Sequence, residues 1–284
     1  MEAFPLAKLR SQCAATPSDD GKRRVVLLTT GSYNPITLGH VAMLTHARMH
    51  LEQAHNCRVL AGWLSPAQQE FVDKKMQKKQ KEVDTSRNVR ALPLEARAEM
   101  LGFSSEMRVA ASVAAVQESD WLDVSHWEHQ SGKVRFFNEV ASECEMHLKA
   151  AGISDVEIMY VMGEDTYKRS AKWGLESTYK GEPCVPGITH PDRAKPGEAY
   201  DGPYVGVVIE RAVSDVDTNY GPLTIADPSL FLRVPSLPGE GADTSSTVVR
   251  RALLARDMPQ LDLLLAPAVR DVLVNSAEVR RLQD

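Results

Sequence analysis

A four-residue apolar run, Val25-Val26-Leu27-Leu28, passes into Thr29-Thr30-Gly31-Ser32-Tyr33-Asn34-Pro35-Ile36-Thr37-Leu38-Gly39-His40. Apolar residues then recur at helical spacing, at Val41, Leu44 and Leu51. The run has the length and β-branching of a buried strand, and Thr37 suits the N-cap of the helix that follows. Strand, glycine turn and helix start in direct succession aim backbone N–H groups and a positive dipole end at one point, where a phosphate binds. Gly31 is expected to take backbone angles that let the chain approach that phosphate closely, and Pro35 to stiffen the turn. His40 falls in the first helical turn, facing the same point. Alone, this turn leaves open whether His40 positions phosphate, binds a metal or acts as a base.

Further apolar runs alternate with helical patterns. Val59 to Leu64, Trp121 to Val124, Val156 to Met162, Tyr204 to Glu210 and Leu230 to Val234 read as strands. Helical spacing covers about 38–54, 93–101, 105–118 and 133–151, and returns from Ser246 with breaks near Pro259 and Pro267. Such alternation predicts βαβ units, hence an α/β fold of the Rossmann-like kind: a doubly wound parallel sheet with C-terminal helices. Residues 1–22 read as a flexible leader and 23–284 as a single domain, with a Pro/Gly-rich surface insertion at about 177–203.

The net charge of −5 leaves no excess of Lys and Arg for a nucleic-acid backbone, so nucleic acid is not an expected partner. No apolar stretch reaches membrane-spanning length, so no membrane is expected either. Four cysteines without C-x-x-C spacing suit a reducing compartment. The cytoplasm is the default location. The lysine-rich run from Lys74 to Lys81 reads as a solvated loop with one functional lysine, and a nuclear address is its alternative. Oligomeric state, homo-oligomer included, stays open.

A second anion-binding element lies more than two hundred residues on, at Asp243-Thr244-Ser245-Ser246-Thr247-Val248-Val249-Arg250-Arg251. Its hydroxyls and unpaired N–H groups mark a helix start, with Arg250 one turn later. The two elements together resemble the paired signatures of the nucleotidylyltransferase superfamily: a G-x-F/Y-x-P-x-x-x-x-H turn and a late I-S-S-T-x-x-R helix start. Within it the chain is most similar to the eukaryotic-type nicotinamide/nicotinic acid mononucleotide adenylyltransferases. The likeness runs in patches from about Val25 to Val274. Ser65-Pro66-Ala67 followed by lysines looks like that family's S-P-V/A segment. Met107-Arg108 with Trp121 to Glu128 resembles its H-R and W-V-E-V-D-T-W-E stretch, Gly163-Glu164-Asp165 its G-A-D, and Glu210-Arg211-Ala212 its T-R-A. The chain departs from the pattern at Ala242, where the family has an asparagine, and at Thr244, where it has an isoleucine.

The resemblance implies adenylyl transfer from ATP to nicotinamide or nicotinic acid mononucleotide, with Mg²⁺ accompanying ATP. The attacking phosphate oxygen is already anionic, so catalysis would be positioning and charge stabilisation without a protein nucleophile. By the same resemblance His40, Arg250 and Lys74 or Lys75 are the catalytic cations and donors. Gly31, Ser32, Thr37, Gly163, Asp165, Arg211, Ser245, Ser246 and Thr247 are expected around ATP. Tyr33, Asn34, Trp173 and Phe136 are expected around the pyridine mononucleotide. A different phosphate acceptor on the same scaffold, or a non-catalytic nucleotide-binding module, are the competing readings. His46 and His50, spaced i and i+4, have no third ligand at matching spacing and are read as a packed or solvated pair. His126 and His129 read as rim groups, and Trp121 as core.

Overall fold

The computed structural model describes residues 2–16, 20–81, 92–135, 137–164, 166, 178–179, 182–183, 206–210, 231–235 and 245–283. Its centre is a sheet of six strands: β1 (Arg23–Gly31), β2 (Cys57–Pro66), β3 (Leu122–Val124), β4 (Glu157–Gly163), β5 (Gly206–Ile209) and β6 (Phe231–Val234). All pair in parallel, in the order β3-β2-β1-β4-β5-β6. The order reverses between β1 and β4, which opens a crevice at their carboxyl ends, the place where such sheets bind ligands. Gly31 and Gly163 are the last residues of those two strands.

Strand periodicity divides the core in two. Val25 and Leu27 face one layer, which holds the buried side of α2 (Leu38–Ala54), α5 (Ser105–Val116) and the C-terminal helices. Val26 and Leu28 face the other, with α7 (Phe137–Ala150). The C-terminal helices are α8 (Ser246–Ala255), α9 (Met258–Leu264), α10 (Pro267–Val274) and α11 (Ala277–Gln283). The break after α8 is made by Arg256 in the left-handed conformation, and Pro259 and Pro267 lie in the first turns of the next two helices, where a missing N–H costs nothing.

Two expectations are corrected. Residues 2–16 are built into the second layer and do not form a flexible leader. Helix α1 (Ala7–Ala15) and the turn before it bury Phe4, Leu6 and Leu9. Trp63 Nε1 donates to the Pro5 carbonyl at 3.1 Å, and Lys8 Nζ to that of Leu122 at 2.5 Å. The second correction concerns the lysine-rich run. Gln69–Lys81 is helix α3, which turns Val72 and Met76 inward and Lys74, Lys75 and Lys78 outward. Two further short helices, α4 (Leu94–Met100) and α6 (Trp127–Gln130), complete the described elements that frame the crevice. Among the described residues no helix is long and apolar enough to cross a membrane.

Candidate functional site

The glycine turn is shaped by packing. A Cβ on Gly31 would meet Tyr33 Cε1 at 2.7 Å, so the glycine is required because the tyrosine ring lies against it. Gly31 itself stays in strand geometry, opposite Pro66 of β2, and this corrects the expectation of special angles there. The positive φ, 39°, belongs to Tyr33. Its ring is in the core, and its hydroxyl donates to the Thr29 carbonyl at 3.3 Å. The sequence reading places Tyr33 around the pyridine mononucleotide; in the structure its side chain is buried.

Asn34 is likewise turned inward. Its Nδ2 donates to the Leu101 carbonyl at 3.2 Å, and its Oδ1 accepts from the Phe103 N–H at 2.8 Å. It ties the turn to the segment between α4 and α5, which satisfies two buried backbone groups.

Thr37 caps α2 as predicted. Its backbone N–H donates to His40 Nδ1 at 3.0 Å, and its Oγ1 is 2.8 Å from the same nitrogen. His40 is half-buried, and its ring stands perpendicular to that of Tyr33 with centroids 5.1 Å apart.

The two signature elements meet. Ser246 Oγ donates to the Pro35 carbonyl at 2.8 Å, and Arg250 NH1 donates to that of Asn34 at 2.7 Å. The N-termini of α2 and α8 are thus joined side by side, although 211 residues separate Pro35 from Ser246. Ser245 accepts from the Val248 N–H as the cap of α8, and Thr247 Oγ1 accepts from Arg250 NH2 at 3.0 Å. The three hydroxyls of this helix start, Ser245, Ser246 and Thr247, are each engaged within the protein. What the helix start offers outward are the first-turn N–H groups of Ser246 and Thr247, which precede the intrahelical bonds.

Arg250 is placed differently from the expectation of a substrate-facing cation. It is 4% exposed, its Nε donates to the Ala98 carbonyl at 2.7 Å, and Glu99 lies at 3.5 Å. Burial lowers its pKa, with Glu99 opposing. From α8 this guanidinium ties the backbone of α4 to that of the glycine turn, which makes it a clamp.

The two lysines differ in their surroundings. Lys74 pairs with Glu70 along α3 at 2.6 Å, whereas Lys75 Nζ reaches Ser32 Oγ at 3.4 Å. The Ser32 carbonyl accepts from Arg108 NH1 at 2.9 Å.

Arg108 leads to a buried polar group to which sequence reasoning assigned no role. It is fully buried on α5, its NH2 reaches Gln69 Oε1 at 3.3 Å, and its Nε has no partner. Glu128, 4% exposed, accepts from the buried Ser65 Oγ at 2.8 Å. Burial pushes the Glu128 carboxyl up to about 8, opposed by the Ser65 hydrogen bond and the Arg108 charge. Burial likewise brings Arg108 down to about 10, against the pull of Glu128. His126 Nδ1 lies 3.2 Å from His129 Nε2; His126 is buried, contrary to its reading as a rim group, and burial first, then His126, brings His129 down to about 4. The signal for this cluster was present in Met107-Arg108 and Trp127-Glu128, but polar residues in an apolar pattern do not say which partner satisfies them. Trp121 is core, as expected.

Asp165, Arg211, Trp173 and Phe136 lie outside the described residues. Among the described residues no group of three or more His, Cys, Asp and Glu side chains is placed to hold a metal ion.

A parallel sheet with this strand order, carrying a histidine helix start and a hydroxyl-rich helix start joined beside its crevice, defines a Rossmann-like domain with a candidate anion site at its switch point. A solved structure with this fold is the Plasmodium falciparum nicotinic acid mononucleotide adenylyltransferase complexed with APC. It matches with TM-score 0.50 and 10% identity, over 88% of this chain and 94% of that one. No family model matches the chain. In sequence it is similar to nicotinamide/nicotinic acid mononucleotide adenylyltransferase 2 of Caenorhabditis elegans, 31% identical over 144 residues, 50% of this chain and 52% of that protein. The Rattus norvegicus protein of the same name is 33% identical over 107 residues, 38% of this chain and 26% of that protein. The chain thus spans about half the length of the first of these curated relatives and about a quarter of the second. The resemblance read from the sequence is to an adenylyltransferase of this nicotinamide/nicotinic acid mononucleotide type, and these relatives bear it out.

Proposed function

We propose that this chain transfers the adenylyl group of ATP to nicotinamide mononucleotide, and to its nicotinic acid counterpart, releasing pyrophosphate and forming the dinucleotide. The observation that carries the reading is the weld between the two signature elements, Ser246 to Pro35 and Arg250 to Asn34. It sets two helix N-termini side by side at the end of β1, a site built for a polyanion. His40 on α2 and Lys75 beside Ser32 supply donors from the two flanks. The mononucleotide phosphate attacks the α-phosphorus of ATP in line with the leaving pyrophosphate. One P–O bond forms and one breaks, and no proton need be removed from the attacking oxygen. The protein's share is alignment of two anions and stabilisation of the charge that gathers on pyrophosphate.

Mg²⁺ fits this scheme as a companion of the triphosphate, with no cage supplied by the described side chains. No step is assigned to it. The likeness to curated relatives bearing this activity in their names supports the acceptor assignment. The test is a panel: purified chain with ATP or CTP, Mg²⁺, and in turn both pyridine mononucleotides, phosphocholine and phosphopantetheine. Dinucleotide from ATP and a pyridine mononucleotide is the expected product. Turnover only with CTP, or only with a non-pyridine acceptor, would replace the assignment.

A further inference from the structure

Thr37 was expected among the ATP contacts, yet it is 3% exposed and directs its backbone N–H and its hydroxyl at one atom. Its backbone N–H donates to His40 Nδ1 at 3.0 Å, and its Oγ1 is 2.8 Å from the same nitrogen. A backbone amide nitrogen has a hydrogen to give and no lone pair to offer. Nδ1 is therefore the acceptor and carries no hydrogen. A neutral imidazole has one N–H, which this geometry assigns to Nε2. An imidazolium would set Nδ1–H against the Thr37 N–H, next to the positive end of α2, which already disfavours added positive charge. The perpendicular Tyr33 ring, 5.1 Å away, holds the imidazole plane.

We propose that Thr37 is a positioning residue that fixes His40 as the Nε2–H tautomer, so that His40 serves the nucleotide phosphates as a neutral hydrogen-bond donor. The role at phosphate rests on the adenylyl-transfer reading above; the tautomer itself does not. What the site needs from residue 40 is then an N–H at the position of Nε2, with no formal charge. A glutamine amide places an N–H at a similar reach.

Two measurements on the full chain test this. In ¹⁵N-histidine-labelled protein, long-range ¹H–¹⁵N correlations report the protonation of each ring nitrogen, with His40 assigned by its loss in His40→Gln. The expected spectrum at pH 7.5 has a protonated Nε2 and an unprotonated Nδ1. A proton on Nδ1, alone or together with Nε2, would overturn the proposal. In kinetics, His40→Gln is expected to keep kcat within about tenfold of wild type while His40→Ala loses about 10²-fold, with KM for ATP moving less than kcat in both. Equal loss in the two variants would also overturn it. If wild type transfers adenylyl to no mononucleotide, the functional reading falls and the spectrum alone decides the tautomer.

Discussion

The ring of Tyr33 stands at 89° to the ring of His40, with centroids 5.1 Å apart, and the tyrosine lies directly against Gly31. Three residues of the turn are therefore one mechanical unit. The glycine leaves room for the tyrosine, and the tyrosine backs the histidine from one side while Thr37 holds it from the other. Gly31→Ala is expected to push the Tyr33 ring from its site, because a Cβ there would sit 2.7 Å from Cε1. Overpacking of this kind costs about 1–3 kcal/mol. A lowered Tm together with a fall in kcat, measured on the same preparation, checks it; an unchanged Tm would show that the turn yields freely.

Arg250 makes a contrasting prediction. Arg250→Met leaves the Asn34 carbonyl buried without its donor and the Ala98 carbonyl with only the Leu101 N–H, at a cost of about 1–3 kcal/mol. Arg250→Lys does not restore them, since one ammonium cannot reproduce the fork that reaches Ala98, Asn34 and Thr247. Denaturant unfolding reads this directly. Wild-type stability with reduced activity would mean that Arg250 faces substrate after all.

The two lysines are predicted to separate. Lys75→Ala is expected to lower kcat/KM for ATP by about tenfold or more, as removal of a charge beside the phosphate turn should. Lys74→Ala removes an exposed pair with Glu70 and is expected to change both activity and stability little. Steady-state kinetics of the pair, side by side, gives the answer; the reverse ranking would move the phosphate to the other face of α3.

Glu128 links stability to pH. Its carboxyl titrates at about 8 in the folded chain against 4.5 as its ordinary value. Between those values the folded state keeps a proton that the unfolded state has lost, so this group's contribution to stability falls as pH rises from about 5 to 8. Glu128→Gln stays neutral and can still accept from Ser65. Its stability relative to wild type is therefore expected to grow by about 1–3 kcal/mol across that window. Urea unfolding of both proteins at pH 5 and pH 8 measures it, and a constant difference would place the titration elsewhere.

Much of this molecule was legible before its structure. The alternation of apolar runs with helical patterns specified the parallel sheet, since a strand buried on both faces has to be apolar along its length, as Val25 to Leu28 is. The Thr37 cap and the meeting of the two signatures were legible for the same reason: local chemistry marks helix starts. Function-bearing types misled where burial decided the outcome. Arg250, Tyr33 and Asn34 look like ligand contacts in one dimension, yet each spends its polar groups on buried backbone. The N-terminal segment looked loose because Phe4, Leu6 and Leu9 are too few to show a period, although all three are buried. In the Glu128–Ser65 contact the partners lie 63 positions apart, a pairing that no single pattern encodes.

The central claim is direct adenylyl transfer at the welded pair of helix starts, and it is tested most directly by following both products in one reaction. With ATP, Mg²⁺ and nicotinamide mononucleotide, the purified chain is expected to release NAD and pyrophosphate in equal amounts, and His40→Ala to do so about 10²-fold more slowly while still folded. A folded wild-type chain that yields no dinucleotide from either pyridine mononucleotide would contradict the account.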